Sequence, residues 1–230
     1  MIPWLAEDDP FPPVEEALAY PNGLLAAGGD LSSERLLDAY RRGIFPWFNE
    51  TDPLLWWSPD PRMVLMVDEI RVSRSLRRVM RSGRYRVSLD TAFTDVMVGC
   101  AEPRSDEAGT WITAEMLEAY TRLATEGFAH SVEVWADEVL AGGLYGVAIG
   151  RMFYGESMFT RQTDASKVAL ATLVRQLERW GFQMIDCQMA TDHLASLGAR
   201  EIPRSEFVKQ LRRLANEPAV ASPWTLDADL

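Results

Sequence analysis

The second half of the chain alternates between strand-like and helix-like hydrophobic patterns. Three runs of alternating apolar residues predict three antiparallel strands joined by short turns: SVEVW (131–135), VLAGGLYGVAIG (139–150) and RMFYGESMFT (151–160). Apolar residues then recur at helical spacing from Leu170 to Leu177. A strand-like run follows at 182–188, and a last helical pattern covers EFVKQLRRL. The predicted order is therefore three strands, a helix, a strand and a helix.

The first part of the chain has a different pattern. Residues 3–62 are rich in turn signals and contain one helical stretch, which Ser32 or Ser33 can cap and Gly43 can end. Four tryptophans fall within this part, and packing is their ordinary explanation: Trp4, Trp47, Trp56 and Trp57. We predict an α+β protein with a small N-terminal domain over residues 1–62 and a larger mixed-sheet domain over residues 63–230.

Between these parts lies a helical pattern with one basic face. The segment RVSRSLRRVMRSGRYR, residues 71–86, holds seven arginines and no acidic residue. On a helix, its apolar residues share one face and four arginines share the opposite face: Arg74, Arg77, Arg78 and Arg81. A solvated surface is the ordinary explanation, but such helices usually pair each arginine with an acid one turn away, and this segment has none. The pattern favours phosphate binding by these four arginines.

Composition restricts the class of protein and its compartment. The chain has 230 residues, a formal net charge of −11 and 47% apolar residues, which suffices for a buried core. No run approaches a membrane span, and the first residues lack the features of a signal peptide, so we expect a cytoplasmic protein. The acidic segment from Asn216 onwards is expected to be loosely held. The only cysteines and histidines show no zinc-site spacing, so no metal is expected: Cys100, Cys187, His130 and His193.

The order of strands and helices resembles that of the GNAT acyltransferases, in which the sheet splays and an acyl donor lies in the gap. Members that use coenzyme A hold its pyrophosphate with a glycine-bearing loop before the helix. The corresponding loop here is RQTDAS, with Asp164 in place of the first glycine and Ser166 in place of the second small residue. A carboxylate repels a diphosphate, and a side chain blocks close approach of the backbone. Acyl-CoA is therefore disfavoured, and an acyl group carried by a polynucleotide is favoured.

A series of motifs carries a closer resemblance. PNGLLAAGGDLSSERLLDAYRRGIFPWF, WWSPDPR, GTWIT, GGLYGVAIG, FYGESMF, IDCQ and SLGAREIPR occur in order between Phe11 and Leu214. They resemble the motifs of the leucyl/phenylalanyl-tRNA-protein transferase family. The resemblance implies transfer of leucine, or phenylalanine and methionine, from aminoacyl-tRNA to the N-terminal Arg or Lys of a protein, which marks that protein for degradation. It implies no cofactor and, by analogy, a monomer.

The reaction joins an α-amine to an ester that is already activated, so a proton acceptor and good positioning suffice. Strand alternation places Asp186 and Gln188 on one face of the strand, at the positions of the IDCQ motif. We expect Asp186 to accept or relay the proton and to bind the incoming ammonium, while Gln188 orients the substrate. The alternative is a buried structural acid, which is weaker because the charge would be unpaired in a central strand.

Other site residues follow from the resemblance. It implies a hydrogen-bonding role for Glu156 near the aminoacyl group, and Gly155 before it allows a β-bulge. Trp47 and Trp111 match the tryptophans that flank the donor's adenosine. The family's apolar pocket maps onto four residues that would otherwise be read as core: Leu144, Phe153, Leu170 and Leu173. Leu173 replaces an aromatic residue of some members, so the choice between leucine and phenylalanine stays open.

Two other functions stay in competition. An acyl-CoA N-acetyltransferase would consume acetyl-CoA and grip its phosphates at Arg161 to Ser166. A non-catalytic RNA-binding domain would bind tRNA in a salt-sensitive way without turnover.

Overall fold

The computed structural model describes residues 2–102 and 112–230, whose strands form two sheets. The N-terminal part contains β1 (Trp4–Leu5), β2 (Leu24–Gly28), α1 (Ser33–Arg42), β3 (Phe45–Pro46) and β4 (Leu55–Trp57). The larger part contains β5 (Arg62–Met66), α2 (Arg74–Arg81), β6 (Arg86–Leu89), α3 (Phe93–Ala101), α4 (Ala114–Thr125), β7 (Ala129–Ala136), β8 (Val139–Ile149), β9 (Met152–Thr160), α5 (Ala165–Arg179), β10 (Met184–Gln188), α6 (Asp192–Ser196), β11 (Arg200–Ile202) and α7 (Arg204–Leu214). Within the described ranges, no helix is long and apolar enough to cross a membrane.

The N-terminal sheet has four short strands in the order β1-β2-β4-β3. The helix predicted in this part is α1: the Ser32 side chain accepts a hydrogen bond from the Arg35 N–H, and Gly43 ends the helix at φ 78°. The left-handed conformation at that position favours glycine. Trp56 is fully buried, and its indole N–H donates to the Gly28 carbonyl. This tryptophan therefore has the packing role expected of it.

The larger sheet has seven strands in the order β11-β5-β10-β9-β8-β7-β6. Strands β7, β8 and β9 are antiparallel, whereas β10 is parallel to β9. The parallel pairing joins only three residues of each strand, Met152–Tyr154 and Met184–Asp186. Beyond this point the two strands separate, so the sheet splays between them. The mixed α+β, GNAT-like fold class expected from the sequence is confirmed.

Two apolar clusters cover the two faces of the larger sheet. One face packs against α2 and α5, and its cluster contains Leu76, Phe153 and Leu173. The opposite face packs against α1, α3, α4 and α7. The N-terminal sheet contributes Trp56 to this second cluster, and Tyr40 of α1 contacts Tyr154 with ring centroids 4.8 Å apart. The two sheets therefore share one core, and α1 lies against the larger sheet.

The C-terminal segment, residues 216–230, contradicts the expectation that it is loosely held. Trp224 is only 2% exposed and stacks on His130, with ring centroids 3.6 Å apart and planes 4° apart. Its backbone N–H donates to the Asp90 carboxylate at 2.7 Å. Arg179 of α5 forms ion pairs with Asp227 and Asp229. A buried aromatic ring and these ion pairs hold the segment, which its acidic composition did not indicate.

Candidate active site

A pocket of about 780 Å³ opens where β9 and β10 separate. Apolar side chains form one part of it, and Trp47 of the N-terminal part reaches its edge. The polar side chains at the pocket include Glu156, Gln188 and His193. A concave site with an apolar part and a few converging polar groups is typical of a small-ligand site. The apolar lining includes Leu144, Phe153, Leu170 and Ile185.

A β-bulge in β9 positions Glu156. Gly146 of β8 pairs with Gly155 and Tyr145 pairs with Ser157, so Glu156 is the extra residue between two pairs. The bulge expected at Gly155 is present, and it directs the Glu156 carboxylate toward Tyr120, whose hydroxyl donates to it at 3.2 Å. A bulge of this kind re-aims a side chain without ending the strand.

The environment of Glu156 changes its acidity. Burial raises the pKa of its carboxyl group to about 7, against the opposing effect of hydrogen bonds from Tyr40 and Tyr120. The hydroxyl groups of Tyr40 and Tyr120 also bond to each other. Near neutral pH the carboxyl group therefore occurs in both protonation states. Such a group can accept a proton and release it again in one reaction cycle.

Gln188 at the end of β10 faces the same carboxylate. Its side-chain Nε2 donates to Glu156 Oε1 at 3.3 Å. Gln188 has a positive φ of 56°, and the register with β5 shifts between Asp186 and Gln188. The backbone there leaves the regular strand, so simple alternation does not describe where the Gln188 side chain points. The structure nevertheless brings Gln188 and Glu156 together, as a polar pair across the strand gap.

Asp186 has a partner that the sequence did not reveal. Its carboxylate is fully buried and accepts hydrogen bonds from Arg62 Nε at 2.8 Å and Nη2 at 2.6 Å. Arg62 also donates to the Gly43 carbonyl and lies over the rings of Phe45 and Phe207. Asp186 is therefore not an unpaired charge in a central strand, contrary to the expectation from the sequence. A buried, bidentate ion pair accounts for the carboxylate at this position.

Asp186 still affects the site, through the backbone of Gln188. Its Oδ1 accepts the backbone N–H of Gln188 at 3.0 Å. The same carboxylate therefore binds Arg62 and fixes the irregular backbone that aims Gln188 at Glu156. Asp186 itself is 0% exposed and does not line the pocket.

The predicted substrate-binding residues divide into three groups. Leu144, Phe153 and Leu170 line the pocket together, and Trp47 lies at its edge. Leu173 is a fully buried residue of α5 that belongs to the core cluster and does not line the pocket. The prediction for Trp111 concerns a position outside the described residues.

Several site residues were missed by the sequence reasoning. The hydroxyl groups of Tyr40 and Tyr120 contact Glu156, and neither residue was expected at the site. His193 lies at the pocket, where burial and the charge of Lys167 lower its pKa. Tyr145 also borders the pocket. A tyrosine at an apolar position carries a polar end, and that is the signal that could have marked the three tyrosines.

The arginine-rich helix α2 packs against α5. Leu76 of α2 is buried against the α5 face, while the four outward arginines are exposed: Arg74, Arg77, Arg78 and Arg81. Their side chains form no hydrogen bond or ion pair with any residue in the described ranges. After the helix, Tyr85 donates to the Thr163 carbonyl at 2.8 Å and Arg84 to Gln162 at 3.4 Å. This contact connects the basic segment with the loop that leads to Ser166 at the pocket.

The loop before α5 carries Asp164 where coenzyme-A-binding members have a glycine. Asp164 adopts the left-handed conformation at φ 67°, which a glycine would adopt more readily. Its carboxylate accepts a hydrogen bond from Lys167 at 3.2 Å and stands at the start of α5. The ion pair of Asp164 and Lys167 therefore occupies the helix end where a diphosphate would bind.

The splayed sheet, the apolar pocket and the carboxylate at its polar edge define an acyltransferase of GNAT-like fold. Two family models match the chain: "Leucyl/phenylalanyl-tRNA protein transferase N-terminal domain" over residues 29–60, and "Leucyl/phenylalanyl-tRNA protein transferase" over residues 64–212. The chain belongs to the leucyl/phenylalanyl-tRNA protein transferase family, and it is an aminoacyltransferase that uses aminoacyl-tRNA and protein substrates.

Relatives cover almost the whole chain. A leucyl/phenylalanyl-tRNA–protein transferase of Nitrosospira multiformis is 61% identical over 99% of this chain and 98% of its own length. The corresponding protein of Thiobacillus denitrificans is 63% identical over 95% of this chain and 96% of its own length. Among solved structures, L-PGS from Bacillus licheniformis has a TM-score of 0.40 and 10% identity, over 73% of this chain and 54% of that one. A likeness at that level says nothing about the substrate.

Proposed function

We propose that this enzyme moves leucine, and also phenylalanine and methionine, from aminoacyl-tRNA to the N-terminal Arg or Lys of acceptor proteins. The product would carry a new N-terminal residue that marks it for degradation. We propose a monomer that works in the cytoplasm, where charged tRNA is available, with a small N-terminal domain over residues 1–62 and a catalytic domain over residues 63–230. The membership of the family supports the reaction, and the pocket supports the apolar donor side chain.

The donor would occupy the pocket in a defined direction. Its side chain would lie against Leu144, Phe153 and Leu170, which exclude water from the apolar part. Its terminal adenosine would stack on Trp47 at the pocket edge, together with Trp111. Stacking of a base on an aromatic side chain stabilises binding by about 1 to 3 kcal/mol and does not depend on the rest of the tRNA. The ester carbon would then lie between Glu156 and the apolar part of the pocket.

Glu156 would take the proton of the acceptor amine. With an ordinary pKa near 8, about a tenth of an α-amine is neutral at pH 7, so the amine needs only modest help. The amine nitrogen attacks the ester carbon, a C–N bond forms, and the Glu156 carboxylate accepts the proton that the nitrogen loses. The bond from carbon to the ribose oxygen then breaks, and Glu156 returns a proton to that oxygen.

The neighbouring residues would position these groups. Gln188 orients Glu156 through their 3.3 Å hydrogen bond, and its amide is free to contact the substrate on its other side. Asp186, held by Arg62, fixes the backbone of Gln188 and acts as a positioning residue. We therefore assign proton acceptance to Glu156 rather than to Asp186. The observation that carries this proposal is the Glu156 carboxyl group, which lies at the apolar pocket and accepts hydrogen bonds from Tyr120 and Gln188.

The outer arginines of α2 would hold the acceptor stem of the tRNA. Arg74, Arg77, Arg78 and Arg81 are exposed and unpaired within the described ranges, so they are free to contact phosphates. Contacts to phosphate position a nucleic acid without reading its sequence. A single helix face of this kind suits an enzyme that accepts tRNAs carrying different amino acids.

The test is a direct transfer assay. The protein is mixed with leucyl-tRNA or with acetyl-CoA, and with peptides that begin with Arg, Lys or Ala, and the peptide masses are read. We expect a leucine adduct on the Arg and Lys peptides and none on the Ala peptide. An acetyl adduct would indicate an acyl-CoA enzyme, and tRNA binding without an adduct would indicate an RNA-binding protein. Either result would contradict the proposal.

A further inference from the structure

The ring of Trp224 lies fixed behind the pocket wall. It stacks on His130 at 3.6 Å and lies within 6.0 Å of Phe153, measured between ring centroids. Its backbone N–H donates to Asp90 at 2.7 Å. Its indole nitrogen is buried and has no hydrogen-bond partner in the parts of the chain that the structure describes. Stacking and the backbone contact, rather than the indole N–H, hold this ring in place.

Phe153 connects Trp224 with the pocket. Its ring is 1% exposed and belongs to the apolar lining. Gly146 of the neighbouring strand lies so close that a Cβ there would be 2.6 Å from the Phe153 ring. Gly146 and Trp224 together restrict the ring, and in a close-packed interior the position of a side chain follows from such neighbours.

We propose that Trp224 is a positioning residue for substrate selection, which sets the depth of the side-chain pocket through Phe153. The inference rests on the proposed function, because it takes Phe153 as the wall that meets the donor side chain. With Trp224 in place, Phe153 stays forward and the pocket fits leucine. Without the Trp224 ring, the space behind Phe153 allows it to retreat, and a larger donor side chain is accommodated.

The size of the effect follows from the chemistry of apolar pockets. Contacts of one or two methylene groups discriminate between substrates by about 10-fold or more. We therefore expect W224L to raise the preference for phenylalanine over leucine by about tenfold, as a ratio of kcat/KM values. W224F keeps an aromatic ring and, since the indole nitrogen has no partner, removes no hydrogen bond. Its expected shift is about threefold in the same direction.

The measurement uses leucyl-adenosine and phenylalanyl-adenosine as donors and an Arg-initiated peptide as acceptor. Wild type, W224L and W224F are compared at a temperature where thermal unfolding shows each to be folded. L214A is the matched control, because Leu214 is fully buried in α7 and does not line the pocket. It should lose stability and leave the donor ratio unchanged.

A double-mutant cycle separates the route through Phe153 from a general loosening of the fold. The F153L substitution already changes the pocket wall. Adding W224L to F153L should therefore change the ratio of kcat/KM values for phenylalanyl-adenosine and leucyl-adenosine by less than twofold. Residues that act through a shared contact give such non-additive effects.

The outcomes are distinct. If wild type transfers neither amino acid, the proposed function fails. If wild type transfers leucine but the ratio stays within twofold in folded W224L and W224F, the inference about Trp224 fails alone. If W224L shifts the ratio by about tenfold in the F153L background as well, the inference about Trp224 also fails. If W224L does not fold, W224F decides, and a ratio equal to that of wild type overturns the inference.

Discussion

The gap between β9 and β10 and the outer face of α2 differ in how their charged side chains are paired. At the gap, Asp186 is fully buried and bound to Arg62, and Glu156 is bound to Gln188 and Tyr120. On α2, four arginines are exposed and have no hydrogen-bond or ion-pair partner among residues 2–102 and 112–230. One region satisfies its charges within the chain, and the other leaves them free.

This difference predicts how each region responds to substitution. A buried charge that loses its partner destabilises the fold, because the remaining charge is left without water or a counter-ion. An exposed charge contributes little to stability, so its removal weakens only the binding of a charged partner. Substitutions at the gap should therefore affect folding and the chemical step, and substitutions on α2 should affect only the binding of a polyanion.

The largest expected effect is on the ion pair beneath the site. D186N leaves the Arg62 guanidinium buried with only neutral partners, and we expect the free energy of unfolding to fall by about 3 to 5 kcal/mol. Urea unfolding measures this change. The double variant R62M/D186L removes both charges and should recover part of the loss, because apolar side chains fill the space while the Gly43 carbonyl and the Gln188 N–H lose their partners.

This prediction also decides the role of Asp186. If D186N keeps its stability within about 1 kcal/mol and loses activity, the ion pair is not an anchor and Asp186 acts in the chemistry. If the double variant recovers both stability and turnover, a proton relay through Asp186 is excluded.

The next effect concerns the buried carboxyl group of Glu156. E156Q keeps the shape of the side chain and removes the proton acceptor, so kcat/KM should fall by about a hundredfold or more. In wild type, activity should rise with pH through about 7 as Glu156 ionises, and rise further as the acceptor amine loses its proton. The first of these two rises should be missing in E156Q. Unchanged pH profiles would remove Glu156 from the mechanism.

Stability gives an independent check on the same group. The pKa of Glu156 is raised in the folded protein, so the folded state binds more protons than the unfolded state above the ordinary carboxyl pKa. The free energy of unfolding should therefore fall as the pH rises from about 4.5 to about 7. E156Q should lose this part of the pH dependence, which urea unfolding at several pH values would show.

Local sequence patterns predicted the strands and helices around the gap better than the side-chain contacts within it. Periodicity gave β7, β8, β9, α5 and β10, and Gly155 indicated the bulge at Glu156. The partner of Asp186 lies 124 residues away in the sequence, and no local pattern points to Arg62. The positive φ of Gln188 was missed for the same reason, because it depends on how two strands meet.

The C-terminal segment gives the clearest example of this limit. Its acidic, proline-containing composition indicated a loose end, because such sequences bury little apolar surface. Trp224 reverses that expectation, but only because His130 and Asp90 lie where its ring and backbone can bind. On α2 the situation is the opposite. There the absence of acidic neighbours is a local property, and the sequence alone sufficed to single out the arginine face.

The smallest expected effect tests that face directly. R77Q/R78Q should raise the KM for leucyl-tRNA by about tenfold and reduce the slope of log KM against log salt concentration by about two. Turnover of leucyl-adenosine, which has no phosphate chain to grip, should change by less than twofold. R212Q/R213Q removes the same number of charges from the exposed face of α7 and serves as the control for overall charge; because Arg213 binds Glu217 and Gln183, its folding is checked by thermal unfolding. If both variants weaken tRNA binding equally, overall charge rather than α2 holds the tRNA. If leucyl-adenosine suffers as much as leucyl-tRNA, the arginines of α2 serve the fold, and the contrast between the two regions does not hold.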